Sequence, residues 1–219
     1  MTDIPLYIFS DVICPWCYIG KARLDKALTA RPDHPFRIEW HPFQLNPNMP
    51  EAGLDRRTYL ERKFGGKKGA VDAYLPVVKA AEAEGLEIDF EAIPHVPNTL
   101  DAHRLIHWAA LEHHQGLVVD RLFKAYFVEG RNLGDQEVLA DIAAGAGMDR
   151  DMVLRLLASD ADRDDIRARD QDAREKGLQS VPTFVVSGYH VVPGAQPTAL
   201  WLKVIDEVMT TEPSVPIPQ

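Results

Sequence analysis

The sequence predicts an α/β fold interrupted by an all-helical insertion. Three observations predict it. Residues 6–43 read as strand, helix, strand; residues 54–158 carry helical spacing with no convincing strand between; residues 182–209 read as strand, turn, strand, helix. The expected organisation is one domain formed by 1–53 and 159–212, an insertion over 54–158, and a mobile proline-rich tail at 213–219.

Leu6-Tyr7-Ile8-Phe9 is a short apolar run that reads as a buried strand. From Trp16 to Leu28 the pattern turns helical, with Ile19, Leu24, Ala27 and Leu28 on one face. Pro32-Asp33-His34-Pro35 is a turn, and Phe36 to Phe43 alternates as a second strand. A right-handed crossover would make the two strands parallel neighbours. Helical segments follow near 56–65, 69–84, 98–114, 117–128, 135–146 and 149–158, with Asp135 and Asp149 at N-cap positions. A charged helix then runs to Lys176 and stops at Gly177, a left-handed C-cap. Pro182 to Val186 is a strand, Ser187-Gly188 a hairpin turn, and Tyr189 to Val192 its partner. The last helix spans Gln196 to Met209, with Leu200, Val204, Ile205 and Val208 facing inward.

The chain has 219 residues, enough for one large domain or one domain carrying a subdomain, and 46% hydrophobic residues support a sizeable core. Lys+Arg is 24 and Asp+Glu 33, a formal charge of −9. An acidic chain with no basic run is a poor phosphate-backbone binder, so no nucleic-acid partner is expected. No apolar stretch is long enough to span a bilayer, and Met1 to Pro5 has no basic region ahead of an apolar one, so a cytoplasmic location is expected. In that reducing compartment two cysteines make a poor structural staple. A bridge across so short a loop also constrains the unfolded chain little.

Cys14-Pro15-Trp16-Cys17 follows a strand and opens a helix. Cys14 there meets unpaired N–H groups and the positive end of the helix dipole, which stabilise a thiolate, the nucleophilic form. Pro15 suits a first turn because the N–H it lacks has no helical partner. Cys17 sits one turn on, placed to attack a mixed disulfide on Cys14. Trp16 would lie at the surface beside Cys14, where it can pack on an incoming substrate. Plainer readings compete. A metal knuckle needs four ligands, and with two cysteines it would have to recruit His103 and His107; Tyr18 also stands where such knuckles turn on glycine. Two inert core cysteines are a second plain reading, and a structural disulfide, argued against above, a third; CxxC at a strand-to-helix junction favours a redox pair over all of them.

The second signature is Ser180-Val181-Pro182-Thr183-Phe184, a proline opening a strand. From the residues alone, cis and trans at Val181–Pro182 are even. With the helical block removed, the outline is that of thioredoxin. The whole resembles the DsbA-like branch of the thioredoxin superfamily, and Asp11 to Lys21 is similar to its cytosolic FrnE-like members. The resemblance extends to Asn98 to Arg104 and to Val192 to Pro197. It implies a thioredoxin fold and dithiol–disulfide exchange, with Cys14 as nucleophile and Cys17 resolving. It also implies a cis Val181–Pro182 bond against the cysteines, with the Val181 backbone and Pro182 positioning the substrate. No cofactor is required; glutathione is a candidate redox partner, and the partners are protein or small-molecule thiols and disulfides.

The match also departs from the pattern. Ile8 stands where many thioredoxin-fold proteins have a buried acid, so proton transfer at Cys17 needs another group, with water, His41 and Glu39 as candidates. Trp16 stands where the periplasmic oxidant has a His, implying a less oxidising disulfide. Asn98, His103 and Arg104 read either as pocket residues or, preferably, as an N-cap and structural hydrogen-bond donors. In the related kappa-class glutathione transferases, the region of Gln196 holds a glutathione carboxylate, and Asn46 could join it. The alternative function is therefore a glutathione-dependent isomerase or transferase, like the 2-hydroxychromene-2-carboxylate isomerases and kappa transferases. Those enzymes carry a Ser at the first catalytic position and no resolving Cys. A third reading is a non-catalytic binding module using the helical groove, which needs neither cysteine.

Overall fold

The two apolar runs flanking the first helix become neighbouring parallel strands. β1 (Ile4–Ser10) pairs with β2 (Phe36–Pro42), Ile4 opposite Phe36 and Ile8 opposite Trp40. A computed structural model of the chain describes residues 3–210. Between these strands runs α1 (Pro15–Ala30), which buries Ile19, Leu24 and Ala27 as their spacing predicts. Late in the chain β5 (Thr183–Val186) and β6 (His190–Pro193) form a hairpin whose turn residues Ser187 and Gly188 both have positive φ. β5 adds antiparallel to β1, giving a four-stranded sheet of order β2-β1-β5-β6. α9 (Thr198–Thr210) packs against α1, with Trp201 and Ile205 buried on its inner side. This is the α/β thioredoxin-like outline, and helices fill the stretch between β2 and β5.

Seven helices form that stretch among the described residues: α2 (Arg56–Phe64), α3 (Lys67–Glu84), α4 (Leu100–Leu111), α5 (Gln115–Phe127), α6 (Gln136–Gly145), α7 (Arg150–Leu157) and α8 (Arg163–Glu175). Asp135 and Asp149 cap α6 and α7, accepting from the Glu137 and Met152 N–H groups. Each cap satisfies a donor that the helix start would otherwise leave orphaned. Gly177, just past α8, has φ 92°. The insertion is not wholly helical: β3 (Leu54–Asp55) and β4 (His95–Val96) pair antiparallel. Two-residue strands have no period, so spacing could not reveal them. The expected tail, 213–219, lies outside the described residues.

One core runs through sheet and insertion, from Leu6 and Ile8 to Leu105, Leu122 and Phe123. Gln115, at the start of α5, clamps the outer edge of β2. The Trp40 N–H donates to Gln115 Oε1 at 2.9 Å, and Gln115 Nε2 donates to the Trp40 carbonyl at 3.0 Å. A side chain thus occupies ladder positions that would otherwise invite another strand.

Candidate active site

Cys14 is the N-cap of α1, with extended φ/ψ of −88° and 113°. Its carbonyl accepts from the Cys17 N–H at 3.0 Å and the Tyr18 N–H at 3.3 Å. The first turn of α1 holds no acidic residue, so nothing on it cancels the positive end of the dipole beside the sulfur. Cys14 Sγ lies 3.7 Å from the Val181 carbonyl oxygen, and the Val181–Pro182 bond is cis. The loop carrying that bond is tied at both ends: Thr183 Oγ1 donates to the Ser180 carbonyl at 2.7 Å, and the Gly194 N–H donates to the Pro182 carbonyl at 2.8 Å. Gly20 lets this loop approach α1; a Cβ there would stand 3.0 Å from Pro182 Cγ and 3.4 Å from Ala195.

The two thiols are not equivalent. Cys17 is the deeper, and burial pushes its thiol well above the usual range; its hydrogen bond to Cys14 and the Cys14 charge push the same way. The Ser10 hydroxyl and the Asp11 N–H act in the opposite direction. The proton-transfer candidates His41 and Glu39 line a separate cavity behind the sheet edge; Ser10 and Asp11 are the residues beside Cys17.

Cys14 is only 4% exposed, and Trp16, expected at the surface, is half-buried. The reason is a roof that the sequence does not announce. α3 lays Val77 and Ala81 over Ile19, with Trp16 packed against the same cluster. Beneath α2 and α3 a cavity of about 310 Å³ opens onto Cys14 and Val181. Its walls are rings, with Tyr74 edge-on to Phe90 at 4.9 Å and Phe90 edge-on to Phe127 at 6.4 Å. Arg56 and Lys63 also line it.

The remaining sequence-derived candidates divide. Pro15 and Trp16 line the cavity, as does Val181. Asn46 stands one step behind, its Oδ1 accepting from the Tyr59 hydroxyl at 2.8 Å. Asn98 is not the N-cap of α4, which is Thr99, but stands one residue before it; its Oδ1 accepts from the Leu100 N–H, while its Nδ2 donates to the Met49 carbonyl. Arg104 is fully buried and donates to the carbonyls of Leu156, Leu157, Ser159 and Ala161 and to Asp101. It ties the end of α7 to α4, away from the cysteines. His103 lies 3.7 Å from Asp11 Oδ1 and faces the rear cavity. Gln196 donates to the Pro193 carbonyl and does not line the Cys14 cavity.

Arg56 and Tyr59, in the cavity wall, and Asp11, whose backbone lies beside Cys17, were not singled out from the sequence. Asp11 has no exposure, and its Oδ2 accepts from the Leu45 N–H at 2.7 Å. It thereby fastens the loop before Cys14 to the chain after β2. Its nearness to the CxxC motif was the available signal.

A model of the DSBA-like thioredoxin domain matches residues 6–206 of the chain. The protein YwbO of Bacillus subtilis (strain 168) is 29% identical over 206 residues, 93% of this chain and 96% of that protein. The probable DsbA oxidoreductase SCO1869 of Streptomyces coelicolor is 30% identical, with a TM-score of 0.86 over 98% of this chain and 94% of that one. At the level of fold alone, the cytosolic disulfide reductase DsbM of Pseudomonas aeruginosa, solved with GSH, superposes with a TM-score of 0.64 and 18% identity, over 94% of this chain and 100% of that one.

Proposed function

The chain belongs to the DSBA-like thioredoxin domain family, and from that premise we propose that it is a thiol–disulfide oxidoreductase working through Cys14 and Cys17. The observation that carries the reading is the asymmetry of the pair: Cys14 opens α1 against the Val181 carbonyl, while Cys17 is buried behind it with its thiol pushed up. In the reducing direction the Cys14 thiolate attacks one sulfur of the substrate disulfide. A Cys14–substrate S–S bond forms, the substrate's own S–S bond breaks, and the first substrate thiolate leaves with the electron pair. Cys17 then loses its proton and attacks Cys14 Sγ, expelling the second thiolate, which takes up a proton. The dithiol has become a disulfide and the substrate two thiols, and the reverse sequence oxidises a substrate.

The presence of both cysteines favours exchange over the isomerase and transferase alternative, whose members lack a resolving thiol. Glutathione is a suitable thiol partner, supported by its presence with DsbM. Quantifying free thiols after equilibration in glutathione redox buffers tests the proposal. A reversible two-electron transition within roughly −120 to −270 mV is expected. Cys14→Ser should form no adduct with a disulfide, and Cys17→Ser should stop at a mixed disulfide visible by mass. No reversible disulfide, or full activity without Cys17, would overturn the reading, the second result in favour of glutathione-dependent chemistry on small molecules.

A further inference from the structure

The cavity over Cys14 differs in charge from the rest of the molecule. The chain carries a formal −9, yet among the described residues the cavity is lined by two cations, Arg56 and Lys63, and by no Asp or Glu. Asp11, the nearest buried acid, is closed off from solvent and engaged by the Leu45 N–H. Arg56 is held in place: its guanidinium lies 5.1 Å from the ring centroids of both Tyr74 and Phe90, and Nη1 donates to the Phe90 carbonyl at 3.0 Å. That leaves further donors on a group with five N–H bonds. Lys63, exposed on α2, reaches the Tyr59 hydroxyl at 2.8 Å. The remaining wall is largely aromatic and aliphatic.

Size sets a second condition. A volume of about 310 Å³ is at the small end of ligand pockets, which span roughly 300–1,000 Å³. With Cys14 only 4% exposed beneath α2 and α3, a folded protein cannot bring a disulfide to the sulfur without displacing them. A small molecule enters the space as it stands.

From this geometry we infer that Arg56 and Lys63 make the site selective for small disulfides that carry a carboxylate on an apolar or aromatic body. The inference rests on the exchange chemistry proposed above. In that chemistry an incoming anion meets a thiolate and an acidic surface, both repulsive. Two cations at the wall of a ring-lined cavity, Arg56 partly buried and Lys63 at its exposed side, offset this locally, and their effect extends to the thiolate leaving in the transition state. Selectivity for charge is thus built into the roof, on an element separate from the one that carries the cysteines.

A matched pair of aromatic disulfides tests this: 5,5′-dithiobis(2-nitrobenzoate), which carries two carboxylates, and the uncharged 4,4′-dithiodipyridine. The reduced protein is mixed with each, and the second-order rate constants are compared as a ratio, anionic over neutral. Lys63→Glu should lower that ratio about tenfold relative to wild type, the effect of a charge a few ångströms from the anion. Arg56→Gln should lower it similarly, and Arg56→Lys should restore most of it. Raising salt to about 1 M should shrink the wild-type ratio toward that of the variants. A ratio within twofold of wild type in Lys63→Glu overturns the inference, and this includes the case where both rates fall together, which would mean the cations serve only the Cys14 thiolate. Lys63 is exposed, so that variant does not depend on the packing around Arg56. Equally fast reduction of insulin disulfides would also overturn it. If neither probe converts Cys14 and Cys17 to a disulfide, the exchange reading itself fails, a separate outcome.

Discussion

Two cavities flank the loop that follows β1, and they differ in nearly every property. The front one, about 310 Å³, opens onto Cys14 and has a wall of rings and two cations. The rear one is larger, about 470 Å³, and lies between the edge of β2 and helices α4 and α8. It gathers His41, His103, His107 and His113 with Arg37 and Arg169. By size and number of titratable groups the rear cavity is the more conspicuous. The proposed chemistry nevertheless lies at the front, because a sulfur at a helix start is placed as a nucleophile, whereas His41 and His107 at the rear are pushed toward the neutral form. Burial, with the Arg169 charge second, pushes His41 down to about 4, and the same two causes lower His107. His41 Nε2 and His103 Nε2 are buried with no hydrogen-bond partner among the described residues.

That contrast breaks first in acid. A histidine whose folded pKa is lowered contributes stability that is complete above its unfolded value, near 6.5. The contribution is lost as pH falls toward the folded value, about 4. At roughly 1.4 kcal/mol per unit the full loss is about 3 kcal/mol. Glu39, 3.7 Å from His41 Nε2, returns part of it once the ring is charged. Urea denaturation at pH 7 and pH 4.5 should show wild type losing about 2 kcal/mol more than His41→Phe. A phenyl ring keeps the stacking on Phe9 (5.1 Å) and the edge contact with Tyr7 (5.0 Å) without titrating. Equal losses in the two proteins would mean that the rear cavity accepts charge freely.

Asp11 stands between the cavities, beside Cys17 through its backbone and near His103 through its carboxylate. Asp11→Ala removes the acceptor from the part-buried Leu45 N–H and should cost about 1 kcal/mol, the lower end of the penalty for an orphaned donor. Asp11→Asn, which keeps an oxygen there, should cost less. If the alanine variant is as stable as wild type, the loop before Cys14 is held by other means. Exchange kinetics in the same variants separate stability from placement of the sulfur.

The sequence made one cavity legible and left the other dark, for physical reasons. CxxC between a strand and a helix is a local pattern, and the caps at Asp135 and Asp149 are equally local. The 3.6-residue spacing located the insertion helices because each buries one face. The cis bond at Pro182 was even from the residues and came from the family resemblance. What stayed hidden depends on partners far along the chain. Arg104 is the largest polar example: a fully buried cation looks unsuited to a core until the carbonyls at the end of α7, some fifty residues on, are brought to it. Arg56 over Tyr74 and Phe90 is the same kind of case. Trp16 was expected outside because nothing in its neighbourhood forecasts α3 above it.

The finest difference between the two sides of the loop is the contact of α1 with the cis-proline segment, and Gly20→Ala probes it alone. In a helix interior, alanine is favoured over glycine by about 1 kcal/mol. Here the added Cβ would stand 3.0 Å from Pro182 Cγ, closer than a comfortable contact, with Ala195 at 3.4 Å on the other side. Relief requires the Pro182 segment to move a few tenths of an ångström, which carries the Val181 carbonyl away from Cys14 Sγ. The two effects oppose each other in stability, so the denaturation midpoint should change little. They do not oppose each other in function, because only the displacement reaches the sulfur. Exchange with a small disulfide should slow several-fold, since misplacement by a full ångström can cost about a hundredfold. Pairing the midpoint with the exchange rate decides the matter: an unchanged rate would mean that the Val181 carbonyl does not position the substrate, and the front cavity would then owe its reactivity to the cysteines and the roof alone.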